Sequence, residues 1–126
     1  MVSQPISLKN KVIKFIKKES NLVIQGANVK YRPMLYMAFG TLLRVVQSTS
    51  EAELRVKIKI LINKKQQIYQ MLEDAKEGKL EVKDKNLKKV YPYLMQLLQN
   101  ENNVIKKVID DFYREFENEV KDSKNG

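Results

Sequence analysis

Between Met34 and Val46 the only charged residue is Arg44. A helix over this segment is apolar nearly all the way round. It has to be covered on more than one side, either as the central element of a bundle or against a partner. Pro33 suits its first turn, because a fixed φ is already helical there and the missing N–H is one that a helix start leaves unpaired anyway. Gly40 lowers helix stability but lets a second backbone approach closely. Met34 and Met37 read as core filler. The expected fold is all-α, a small helical bundle of four to five helices forming a single domain over residues 1–126. The second helix is expected to be central and the third longest, with residues 1–4 and 121–126 disordered.

The flanking segments carry their own helical signals. A first helix is expected from near Pro5, with Leu8, Val12, Ile13, Phe15 and Ile16 on one arc and Lys11, Lys14, Lys17 and Lys18 on the other. Gly26 is a fitting C-terminal cap. Ser48 with Glu51 and Ser50 with Glu53 form overlapping capping boxes for a third helix. Residues 54–60 alternate apolar and polar as a strand does. However, the helical spacing of Leu54, Ile58, Leu61, Ile68, Leu72 and Ala75 runs on without a turn residue. One long helix over 51–77, ended by Gly78, is expected. Asp84 caps a short helix over 86–90, and Pro92 forces a break near Tyr91 before another short helix over 93–99. The last helix turns Val104, Ile105, Val108, Ile109, Phe112, Phe116 and Val120 inward. Its outer face sets Lys107 against Asp111, Asp110 against Arg114 and Glu117 against Lys121.

The chain has 126 residues, no cysteine and no histidine. Disulfides, thiolate or imidazole zinc sites, and Ser-His-Asp or Cys-His nucleophiles are excluded together. The glycines stand at 26, 40, 78 and 126, matching neither dinucleotide-binding nor phosphate-loop patterns. Asp111, Glu115 and Glu119 share a helical spacing that can hold a magnesium ion. Lys107, Arg114 and Lys121 on the same surface make it an ion-paired outer face instead. The expectation is a non-enzymatic protein with no catalytic residues, no metal and no cofactor.

The net charge is +9, but residues 1–65 carry 13 Lys/Arg against 3 Asp/Glu, and residues 66–126 carry 11 against 12. Such asymmetry points to an anionic partner for the first half. The expected nucleic-acid-binding residues are Lys11, Lys14, Lys17 and Lys18 on the first helix, and Lys30, Tyr31 and Arg32 in the following loop. Arg55, Lys57, Lys59, Lys64 and Lys65 at the start of the third helix complete the set. A tyrosine between two cations suits base stacking, and no groove-reading motif occurs, so RNA or single-stranded DNA is favoured over duplex DNA. The alternative is an adaptor or assembly subunit whose basic face docks an acidic protein, or a homo-oligomer. In size, charge and helix count the chain is broadly similar to the small all-helical subunits that sit along the RNA in type III CRISPR effector complexes. No motif of that family matches residue for residue. No apolar run reaches bilayer-spanning length, so no membrane partner is expected, and the absence of cysteine fits a cytoplasmic location.

Overall fold

The structure, a computed structural model, describes the backbone of residues 7–125 and the side chains of residues 7–119. Pro5, residues 1–4, Gly126 and the Val120 and Lys121 side chains lie outside those described residues. Seven α-helices and no strand occur among them. They are α1 (Leu8–Gly26), α2 (Arg32–Ser48), α3 (Glu51–Asn63), α4 (Lys65–Lys76), α5 (Lys85–Lys88), α6 (Tyr91–Asn100) and α7 (Asn102–Asn125), with a 3₁₀ turn at Val29–Tyr31. The chain is thus all-helical as expected, with more and shorter helices than the four to five anticipated.

Local chemistry accounts for most of the boundaries. Ser7 caps α1 by accepting from Asn10 N–H. Ser50 caps α3 by accepting from Glu53 N–H, and Asp84 caps α5 by accepting from Asn86 and Leu87. Gly78 follows α4 at φ 76°, a left-handed conformation costly for any residue with a Cβ. No acid stands in the first turn of α1. The Glu51 carboxylate on α3 fills that role by accepting Lys9 N–H at 3.0 and 3.1 Å, placing negative charge at the positive end of the α1 dipole.

The expected long third helix is broken at Lys64, where φ is −96° and ψ 18°. Its two halves pack on different partners. Leu54 and Ile58 join Leu8, Val12, Ile16, Val46 and Phe116 in the larger apolar cluster. Leu72 and Ala75 instead face the α6–α7 corner, where Asn102 Nδ2 donates to the Leu72 carbonyl at 3.2 Å. A straight helix cannot serve both, and Asn63-Lys64-Lys65 has no apolar side chain to hold it straight. The longest helix is therefore α7, with 24 residues. Its backbone is helical through Asn125.

The central elements are α1 and α7, not α2: α1 packs against α2, α3 and α7, and α7 against α1, α3, α4 and α6. A second cluster joins its C-terminal half to the 3₁₀ turn, the start of α2, α6 and α7 through Val23, Ile24, Tyr31, Leu35 and Leu97. By contrast α2 buries only Leu35 and Val46. Met37, read from sequence as core filler, is 74% exposed. No helix among the described residues is long and apolar enough to cross a membrane.

Candidate nucleic-acid interface

On α1 the side that meets the core carries Leu8, Val12, Ile16 and Val23. Turning 100° per residue puts Asn10, Lys14, Lys17, Lys18, Asn21 and Gln25 on the opposite side, and all of these are exposed. From Asn10 to Gln25 this strip runs ~22 Å along the helix at 1.5 Å per residue. No carboxylate stands in it, and neither Lys14 nor Lys17 forms an ion pair to the described residues. The amides of Asn10, Asn21 and Gln25 were not singled out from sequence. Their 4-3-4-4 spacing with Lys14 and Lys17 was the signal that they share the lysine face.

The remaining candidates go to several places. Lys11 Nζ lies 2.6 Å from Glu119 Oε1 on α7, so its charge is compensated within the fold. Lys65 lies 3.7 Å from Glu117 and sits over the Tyr113 ring, 5.2 Å from its centroid. Lys18 lines a cleft of about 390 Å³ together with Glu19, Lys107, Asp111, Arg114 and Glu115. On α3, Lys57 is exposed and Arg55 and Lys59 are half-buried, while Lys64 is exposed at the α3–α4 break. These four make no ion pair to the described residues. Leu54 and Ile58 dock α3 on the apolar side of α1. The α1 strip therefore points away from α3, and the two lysine groups do not merge into one surface.

The loop candidates are corrected by the structure. Tyr31 is fully buried, 0% exposed. Its hydroxyl accepts from Asn100 Nδ2 at 2.7 Å, and its ring meets Tyr93 edge-on at 5.9 Å between centroids. A ring so enclosed has no free face for a base. Arg32 is also committed, its Nε donating to the Ile24 carbonyl at 3.1 Å, where it satisfies a carbonyl near the end of α1. Lys30 remains exposed, with Nζ 5.1 Å from the Tyr31 centroid. The loop is a packing element joining α1, α2 and α6.

The cleft beside Lys18 contains a feature missed from sequence. Glu19 is 3% exposed and hydrogen-bonds through its side chain to Asp111. Burial, then the hydrogen bond and charge of Asp111, push its carboxyl up to about 7, while Lys18 and Lys107 pull it down. The same 100° arithmetic that orders the apolar arc places Glu19 between Leu8 and Val12. Across the molecule, Tyr69 donates to Asp110, and burial with that contact pushes its hydroxyl up to about 12. Asp111, Glu115 and Glu119 do not converge. Asp111 meets Glu19 and Arg114, Glu119 meets Lys11, and no metal-holding group of three occurs among the described residues.

No family model, no curated protein and no solved structure matches this chain.

Proposed function

We propose that the chain is a non-enzymatic nucleic-acid-binding module that contacts the phosphate backbone through the outer strip of α1. The supporting observation is that Lys14 and Lys17 stand on a carboxylate-free face lined by Asn10, Asn21 and Gln25. In contrast, Lys11 and Lys65 are compensated by acids of α7. Ammonium groups and neutral amides on a straight face suit phosphate and sugar oxygens and carry no base code. The preference for RNA or single-stranded DNA rests on the absence of a groove-reading motif in the sequence, since Tyr31 offers no stacking face. The α3 group of Arg55, Lys57, Lys59 and Lys64 is a second contact on another side.

Titration of labelled single-stranded RNA, single-stranded DNA and duplex DNA at two salt concentrations tests this. Affinity should fall steeply with salt, and Lys14→Glu with Lys17→Glu should flatten the salt slope by ~1.4 on single strands, about 0.7 per phosphate contact. Unchanged binding in that variant moves the site off α1, and no binding of the parent at low salt removes the reading. The adaptor or assembly alternative has its own observation behind it: the exposed apolar side of α2.

A further inference from the structure

Between Arg32 and Ser48, α2 meets α1 through Leu35, Phe39, Leu43 and Val46. At 100° per residue, Met37, Ala38, Thr41, Leu42 and Val45 lie on the other side, with the half-buried Met34, which also packs on the second apolar cluster, at its N-terminal edge. Met37 is 74%, Val45 52% and Leu42 44% exposed. Over about three turns this side carries one charge, Arg44 at the margin, whose Nη2 lies 3.5 Å from Thr41 Oγ1, in a chain whose net charge is +9. It is the continuous apolar side of a helix that sits at the edge of the bundle, where the sequence called for cover.

We propose that a second copy of this chain covers it, the two α2 helices packing antiparallel across a two-fold axis. This inference stands on a different helix from the lysine strip and does not rest on it. Two features favour a copy over another occupant. The first is the order of side-chain size along positions 34, 37, 38, 41, 42 and 45, large at both ends and small in the middle, on a spacing that runs the same in both directions. A two-fold axis between Phe39 and Gly40 therefore brings Met34 onto Val45, Met37 onto Leu42 and Ala38 onto Thr41 of the other copy. The smaller side chains, Ala38 and Thr41, meet in the middle where the backbones come nearest, and the larger ones close the ends. A self-complementary patch of this kind is what an isologous interface requires.

The second feature is charge. The exposed Lys30 stands at the N-terminal end of α2 and the exposed Glu53 follows its C-terminal end, while Arg32 and Glu51 are bonded within the fold, and α2 itself has no acid in its first turn and no base in its last. An antiparallel pair sets the basic end of one copy beside the acidic end of the other and opposes the two helix dipoles, whereas a parallel pair sets cation against cation. A nucleic acid finds a single cation, Arg44, at the margin of this side. A single helix pair falls at the low end of specific interfaces, below about 1,200 Å² in total, so a weak dimer is expected. Its dissociation constant should be on the order of 10 µM, about −7 kcal/mol.

Sedimentation equilibrium on the full chain from ~5 to ~200 µM should show a monomer–dimer equilibrium. It should strengthen as salt rises from about 0.1 to about 0.5 M, because screening relieves repulsion between two basic copies. Met37→Glu and Val45→Glu, each at an exposed position, should keep the far-ultraviolet circular dichroism of the parent and sediment as monomers. Because the chain has no cysteine, Ala38→Cys and Thr41→Cys report orientation. Mixed and oxidised, they should cross-link mainly to each other, with little product from either variant alone. A parent that stays monomeric at ~200 µM overturns the proposal. So does a dimer that both glutamate variants retain, or cross-linking dominated by Ala38→Cys with itself.

Discussion

Replacing Glu19 with glutamine changes one atom of a carboxyl group that is 3% exposed and hydrogen-bonded to Asp111. Burial disfavours the charged form of Glu19, and the hydrogen bond and charge of Asp111 add to it, so Glu19 holds its proton toward near-neutral pH. The Glu19 carboxyl moves from 4.5 in a solvated chain to about 7 in the fold. At about 1.4 kcal/mol per unit, the native state gains ~3 kcal/mol from that proton. The folded form binds the proton more tightly than the unfolded form. The contribution is therefore complete below about pH 4.5, declines as pH rises toward about 7, and is absent above that. Glutamine has no proton to lose, and its amide can donate to Asp111 at every pH. The variant should match the parent near pH 4.5 and exceed it at pH 8 by ~1–3 kcal/mol, the lower figure allowing for the opposing pull of Lys18 and Lys107. In a chain of this size that is a rise in Tm of roughly 4–12 °C. Urea denaturation followed by circular dichroism at pH 4.5 and pH 8, at one ionic strength, reads the difference. If the gap between variant and parent is the same at both pH values, Glu19 titrates normally and its raised carboxyl is refuted.

The other substitutions test packing and the reassigned loop. Tyr31→Phe removes the bond from Asn100 and should cost ~1 kcal/mol in denaturation, while leaving nucleic-acid affinity within about twofold; a large affinity loss would return the ring to the binding site. Phe116→Ala empties a position that is 0% exposed and touches Phe15 edge-on at 5.4 Å. It should cost ~3–5 kcal/mol, and a loss under 1 kcal/mol would show that the cluster can collapse around it. Gly78→Ala forces φ 76° on a residue with a Cβ and brings that atom to 3.2 Å from Gln99 Nε2, so a loss of about 1 kcal/mol in thermal denaturation is expected. Lys11→Ala breaks a pair whose side chains are 34% and 31% exposed, and its cost should stay below ~1 kcal/mol.

Features decided within a few residues were readable from the chain. The caps at Ser50 and Asp84, the stop at Gly78, the start at Pro33 and the break before Pro92 all follow from backbone chemistry that needs no tertiary partner. The apolar arc of α1 and the inward set of α7 followed from periodicity. What escaped was decided by distant residues. The helix breaks at Lys64 because Ile58, before it, packs on α1, while Leu72, after it, packs at the α6–α7 corner. Lys11 meets Glu119, 108 positions away, and Lys65 meets Glu117 on another helix, pairings that carry no local signal. Tyr31 sits among polar residues in sequence but is enclosed by Asn100 and Tyr93 of α6.

The sequence left two covers open for the apolar second helix, the centre of a bundle or a partner, and the edge position of α2 takes away the first. If a copy supplies the cover, the two proposals meet in one measurement. A dimer carries two α1 strips, so a long single strand can engage both and gain from effective concentration, while a strand only a few nucleotides long can engage one. Met37→Glu lies on neither strip. It should weaken binding to a strand of ~40 nucleotides by tenfold or more at micromolar protein, and leave a strand of ~5 nucleotides unaffected. Fluorescence anisotropy with the two lengths separates the cases. Equal loss on both lengths would place Met37 in the nucleic-acid contact itself. No loss on either would mean that the strips act singly, whatever the state of association.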